Sequence, residues 1–155
     1  MALAVAMILS YIETLIPPLV AVPGIKIGLA NIAIIFVLWR VGARQAVAVS
    51  AVRIVLSALL FGNFVSLAYS AAGAFLSLVT MTLLKQTKKL SVVSISAVGG
   101  VLHNAGQILA AVFLMGSRTI FYYLPPLIIS GTLTGLVIGV LAGLLIKRFE
   151  KVEFR

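Results

Sequence analysis

The sequence predicts an all-α membrane protein, and its composition, the length of its apolar runs and the placement of its charges all indicate this class. Of its 155 residues, 63% are hydrophobic and only 10% are charged, a balance typical of chains that lie in lipid. Apolar runs of roughly 20 residues, the length that crosses a bilayer as a helix, fit between the charged clusters about six times. Little chain is left over, so we expect one integral membrane domain, residues 1–155.

The first predicted helix opens the chain. Its apolar run lacks a basic amino-terminal region and contains Glu13, so we interpret it as a retained helix rather than a cleaved signal peptide. The second is short: its apolar part, Ile27 to Trp39, would span only about 20 Å. The segment "AVPGIK" before it either continues the helix irregularly or forms a re-entrant connection. Charged or polar connections separate the later helices, and we expect the six helices at 2–17, 27–39, 44–61, 64–84, 91–115 and 121–147.

The lysines and arginines are distributed unevenly between alternate connections. One side has nine: Arg40, Arg44, Lys85, Lys88, Lys89, Lys147, Arg148, Lys151 and Arg155. The other side has two, Lys26 and Arg118. The positive-inside rule therefore predicts that both termini are cytoplasmic and that Lys26, Asn63 and Arg118 lie on the outer face. The net charge of +9 follows from this topology, so we expect a lipid bilayer and no nucleic acid as a partner.

The scarcity of ligating side chains argues against metal sites and disulfides. The chain has no cysteine, one histidine and three acidic residues, which excludes disulfides and thiolate ligands. We therefore expect no metal and no other cofactor.

Glu13 and Arg53 are charges inside apolar helices, where polar groups are costly and are candidates for function. At 1.5 Å per residue, Glu13 lies about 17 Å along the first helix and Arg53 about 15 Å into the third. An ion pair between the two helices and a ligand site are both consistent with this depth. Arg53 continues a small polar stripe on the third helix that includes Ala46, Ser50 and Ser57, which predicts that this face looks into the bundle or a cavity.

The fifth helix carries a second polar group. His103 and Gln107 share a face with Gly99 and Gly106, and Asn104 lies beside that face. A hydrogen-bonded interior histidine and a histidine in contact with a ligand remain alternative interpretations.

Glycines recur every four residues along the last predicted helix, at Gly131, Gly135, Gly139 and Gly143. Small residues every four positions allow close approach of another helix, and we expect that helix to belong to this protein rather than to a partner.

The stretch "VPGIKIGLANI", residues 22–32, places Lys26 between two glycines where the second helix begins. Glycines permit unusual backbone conformations, and a helix start presents free N–H groups and the positive end of a dipole. Lys26, Gly28 and Asn31 would then form an anion-accepting mouth on the outer side. Alternatively, Lys26 extends to lipid headgroups.

The segments "SYIETLIPP" and "VPGIKIGLANI" resemble the start of the Gx transporter family, bacterial membrane proteins often labelled heptaprenyl diphosphate synthase component I. The family is grouped with the substrate-binding S components of energy-coupling factor (ECF) transporters. The resemblance implies an S-component-like bundle in the bacterial cell membrane that takes up a vitamin-like nutrient. It also implies partners, namely a transmembrane coupling protein and two cytoplasmic ATPases, with Ala2 and Ala6 at the coupling-protein interface.

The sequence therefore favours a subunit that binds a small vitamin-like or anionic solute from outside through Glu13, Lys26, Gly28, Asn31, Arg53, His103, Asn104 and Gln107. It has no phosphate-binding loop of its own. The alternative is an accessory subunit of isoprenoid or menaquinone metabolism that associates with a prenyl diphosphate synthase. We do not expect an enzyme, because prenyl diphosphate synthesis needs paired aspartates to hold magnesium and the chain has no aspartate.

Overall fold

The computed structural model describes residues 1–15 and 28–150, and within these ranges the protein is helical without a β-strand. The six helices are α1 (Ala2–Leu15), α2 (Ala30–Arg40), α3 (Ala43–Phe61), α4 (Phe64–Gln86), α5 (Val92–Met115) and α6 (Leu124–Arg148). The predicted all-α fold class is confirmed, and most helix limits lie within a few residues of those expected. The question of how "AVPGIK" connects α1 to α2 lies outside the described residues.

Four of these helices, α3 to α6, are long and apolar enough to cross a membrane. The described parts of α1 and α2 have 14 and 11 residues, short of the roughly 20 that span a bilayer. The helices thus identify a membrane protein, while the orientation of its termini stays a prediction.

Local sequence explains where the long helices begin. Asn63 caps α4 by accepting a hydrogen bond from Ser66 N at 2.8 Å, and Ser91 caps α5 by accepting one from Ser94 N at 3.1 Å. The last helix begins three residues later than expected, at Leu124 instead of residue 121, because residues 118–123 form a 3₁₀ helix.

Helix α2 is central to the core. Its side chains are buried around most of its circumference, at Ala30, Ile32, Ala33, Ile34, Ile35, Val37 and Leu38. A helix that is apolar on all sides belongs in the interior. Although it is short, α2 therefore lies among the other helices.

Glycines bring α5 close to α6. A Cβ atom on Gly131 would lie 2.8 Å from the Gly100 carbonyl oxygen, and one on Gly135 would lie 2.6 Å from the Ser96 carbonyl oxygen. The expectation of packing within the protein is confirmed for Gly131, Gly135 and Gly139. Gly143 differs, because a Cβ there would meet nothing within 4 Å in the described part of the chain.

Cations gather at one end of the bundle, which we call the basic end: the last turns of α2, α4 and α6 with the starts of α3 and α5. Lys85 Nζ donates to the Leu38 carbonyl at 2.6 Å and lies 5.5 Å from the centre of the Trp39 ring. Arg40 Nη2 donates to the carbonyls of Phe149 and Glu150 at 3.0 and 3.1 Å. These contacts join the ends of α2, α4 and α6.

Helix α1 turns Ala6, one of the two residues expected to meet a coupling protein, toward the interior of the protein. Ala6 has no exposed surface, and Ala2 packs against the hydrophobic core. The small residues face inward because they allow α1 to approach its neighbours closely. In this conformation Ala6 is an internal contact and Ala2 is half-buried, whereas Ile8 and Tyr11 are among the exposed side chains of α1. The assignment of Ala2 and Ala6 to a coupling-protein interface stays a prediction.

Candidate solute-binding cavity

A cavity of about 100 Å³ lies between the helices, and all six contribute to its wall. Glu13 lies in the part of α1 remote from the basic end, Gly28 lies just before α2, and Gly62 follows the carboxyl end of α3. From there the wall extends inward as far as Ser96, near the start of α5. The wall of the cavity therefore extends from the half of the bundle opposite the basic end to residues close to the start of α5.

The structure brings seven of the eight predicted binding residues to this cavity. They are Glu13, Gly28, Asn31, Arg53, His103, Asn104 and Gln107. The eighth, Lys26, lies outside the described residues, so its part in an anion-accepting mouth stays a prediction.

Arg53 places a guanidinium group in the cavity wall from the middle of α3. Its Nη1 atom donates to Ser10 Oγ at 3.5 Å, which is long for a hydrogen bond. Its Nε atom is buried and has no hydrogen-bond partner in the described chain. A buried donor without a partner carries a substantial free-energy penalty, so Arg53 retains hydrogen-bonding capacity for another group.

Glu13 reaches across to the start of α2, where it accepts a hydrogen bond from the Gly28 backbone N–H. Gly28 has a φ of +77°, which favours glycine, and its carbonyl accepts from Asn31 N at 2.8 Å. A carboxylate at a helix start is stabilised by the free N–H groups and the helix dipole. The protein's own Glu13 thus occupies part of the position that the sequence assigned to an external anion.

The two charges attract each other electrostatically, but each makes its hydrogen bonds elsewhere. Glu13 binds Gly28 N, whereas Arg53 contacts Ser10. The sequence allowed either an ion pair between Glu13 and Arg53 or a ligand site. In the structure both charges lie in the wall of one cavity, but they do not form a hydrogen bond to each other.

On α5 the three predicted polar residues have different surroundings. Asn104 Nδ2 donates to the Leu127 carbonyl at 2.7 Å and to Ser130 Oγ at 3.4 Å, so this amide joins α5 to α6. Gln107 Oε1 is buried and has no hydrogen-bond partner within residues 1–15 and 28–150. His103 also lines the cavity. A Cβ atom added to Gly73 on α4 would lie 2.7 Å from the backbone carbonyl oxygen of His103.

Small hydroxyl side chains supply much of the remaining polar wall, and the sequence did not assign them to binding. They are Ser10, Thr14, Ser57, Ser66, Ser70, Ser77, Ser96 and Thr134. Some already have internal partners: Ser96 donates to the Gly135 carbonyl at 2.7 Å and Thr134 donates to the Ser130 carbonyl at 2.9 Å. The available signal was the spacing of Ser10 one turn before Glu13, and of Ser57 one turn after Arg53.

The acidic and histidine side chains of the described residues form no group of three that could hold a metal ion. The wall offers instead a cation, an anion, amides and hydroxyls, which can recognise a polar organic molecule by charge and hydrogen bonding.

Comparison with known proteins supplies the family. The model of the family described as heptaprenyl diphosphate synthase component I matches residues 2–145. Neither the comparison with curated proteins nor the comparison with solved structures gave a match. The match extends over all six helices, including nearly all of α6, so the chain belongs to the heptaprenyl diphosphate synthase component I family.

Proposed function

We propose that this protein is the solute-binding membrane subunit of an ECF-type transporter, which captures a small polar nutrient from the outer side of a bacterial cell membrane. The observation that carries the proposal is the polar cavity between apolar helices, in which Arg53 and Gln107 each have a hydrogen-bonding atom without a partner among the described residues. Polar groups in membrane helices are costly and are retained where they serve a substrate path or an internal partner.

The position of the cavity supports capture from outside. Part of its wall, at Glu13 and Gly28, lies at the end of the bundle remote from Lys85 and Arg40. If the basic end is cytoplasmic, as the positive-inside rule predicts, the Glu13 and Gly28 part of the cavity lies toward the outer leaflet. A solute could then enter from outside without crossing the tightly packed contact between α5 and α6.

Transport would depend on other chains. The sequence contains no phosphate-binding loop, so a transmembrane coupling protein and two cytoplasmic ATPases would supply the energy. Differential binding of these partners to two conformations would couple ATP hydrolysis to release of the solute. Because Ala6 is buried in this conformation, docking of a coupling protein at Ala2 and Ala6 would require a conformation in which α1 exposes Ala6.

Binding without chemical conversion fits the cavity wall better than catalysis. Its ionisable members among the described residues are Glu13, Arg53 and His103, and the chain has no aspartate. Hydrolysis or synthesis of a diphosphate requires carboxylates that hold magnesium against the phosphates. We therefore propose a binding subunit rather than an enzyme.

The test is the identity of small molecules that remain bound to the purified full-length protein. Extraction into mild detergent, followed by mass spectrometry of the released fraction, should show one polar solute in about equimolar amount. The variant Arg53→Gln should lose it, whereas Arg44→Gln, on the same helix but outside the cavity wall, should retain it. An empty protein, or equal retention by both variants, would contradict the proposal.

The family description favours a second candidate, an accessory subunit that works beside a prenyl diphosphate synthase. Affinity purification from native membranes separates the two. Recovery of ATPases and a coupling protein supports transport, and recovery of a soluble prenyl synthase supports the accessory role.

A further inference from the structure

The charges in the described cavity wall are balanced. It contains one carboxylate, Glu13, and one guanidinium group, Arg53, whereas the chain as a whole has a net charge of +9. A site for a simple anion would have an excess of positive charge, because an isolated carboxylate in the wall repels an anionic solute and raises its free energy of binding. Glu13 binds Gly28 N and also places a negative charge in this wall, which a purely anionic solute would not use.

The cavity wall contains both a hydrogen-bond donor and a hydrogen-bond acceptor without a partner among the described residues. Arg53 Nε is a buried donor, and Gln107 Oε1 is a buried acceptor, and neither has a hydrogen-bond partner in the described chain. An anionic group of a solute would satisfy the donor, whereas an N–H group would satisfy the acceptor. The two wall atoms therefore need one acceptor and one donor, and a bound solute would supply both.

The hydrogen bond from Gly28 N to Glu13 uses the Oε1 atom of the carboxylate. A carboxylate has two oxygens and about four acceptor positions, so Glu13 can hold the start of α2 and still accept from a bound cationic group. Arg53 does not neutralise it by a direct hydrogen bond, since Arg53 Nη1 is directed to Ser10.

We infer that the cavity binds a zwitterionic solute, a small molecule with an anionic group held at Arg53 and an ammonium or similar N–H cation held by Glu13 and Gln107. This inference rests on the proposed function and narrows the vitamin-like or anionic solute that the sequence suggested. The solute as a whole would be near neutral, which limits the cost of moving it into a membrane-embedded site.

The experiment uses the full-length protein in lipid nanodiscs and two kinds of probe. The first is the retained molecule from the purified protein, whose ionic groups are read from its mass spectrum. The second is a thermal-shift panel of matched triplets in which an amino acid is compared with its deaminated and decarboxylated analogues. One example is leucine with 4-methylpentanoate and 3-methylbutylamine.

The matched variants are Glu13→Gln and Glu150→Gln. Glutamine can still accept the hydrogen bond from Gly28 N, so the first change removes the charge while keeping the helix contact. It should weaken binding of the zwitterion about ten-fold and leave the deaminated analogue unaffected or bound more tightly. Glu150, beyond α6 and outside the cavity wall, should have no effect on either.

The results separate the two proposals. A retained or stabilising solute that lacks either the anionic or the cationic group overturns the zwitterion inference but leaves the solute-binding function standing. If Glu13→Gln weakens binding of the zwitterion and of its deaminated analogue equally, the inference is also overturned, because that pattern indicates a structural effect. If neither the retained fraction nor any panel member binds, both proposals fail.

Discussion

The close contact of α5 with α6 makes a quantitative prediction for Gly100→Ala. A Cβ atom on Gly100 would lie 2.2 Å from the Gly131 carbonyl oxygen, whereas ordinary contact begins at 3.4 Å. The two helices must therefore separate by about 1.2 Å, the difference between these distances. The obstacle is backbone, which cannot rotate away as a side chain can, so we expect the upper part of the overpacking range, about 2–3 kcal/mol.

Gly143→Ala on α6 is the matched control, because a Cβ there meets nothing within 4 Å in the described residues. Both changes gain about 1 kcal/mol of helix propensity, so the difference between the variants isolates the packing cost. We expect Gly100→Ala to have a free energy of unfolding about 2–3 kcal/mol below that of Gly143→Ala. Unfolding by sodium dodecyl sulfate in mixed micelles, followed by circular dichroism and by the fluorescence of the single tryptophan, measures both. Equal values would refute the backbone contact.

Three further predictions concern topology and packing. Because the chain has no cysteine, single cysteines at Lys88 and Arg118 can be labelled cleanly in intact cells: an impermeant reagent should reach position 118 and not 88, and the reverse would invert the topology. Lys85→Ala should lower the free energy of unfolding by about 1–2 kcal/mol in the same assay, because the contacts of Lys85 with the Leu38 carbonyl and the Trp39 ring are lost. An equal loss in Lys88→Ala would show that these contacts are not responsible. Ala6→Leu should destabilise the isolated subunit by about 1–3 kcal/mol in the same assay, whereas Ala4→Leu, on the exposed side of α1, should not. Unchanged stability of Ala6→Leu would contradict its internal packing and favour a partner-facing Ala6.

Helix positions were largely predictable because they depend on local properties. Apolar runs and charged connections located all six helices, and the starts of α3, α4 and α5 differ from expectation by no more than one residue. The largest differences at helix starts are those of α2 and α6, each three residues late. A 3₁₀ helix precedes α6, and hydropathy does not distinguish that structure from an α-helical turn.

For the site, the sequence by itself determined the candidates, because a polar side chain in an apolar run is visible without any fold. Tertiary structure alone decided their relations. It directs Glu13 to Gly28, 15 residues away, and uses Asn104 to join α5 and α6. It also leaves Arg53 Nε and Gln107 Oε1 without a hydrogen-bond partner in the part of the chain that the structure describes. It also turns Ala6 inward. Spacing along one helix shows which residues share a face, but the packing of all the helices together sets which neighbour that face meets. The burial of Ala6 could therefore not be predicted from the sequence, whereas the polar residues could be located in it.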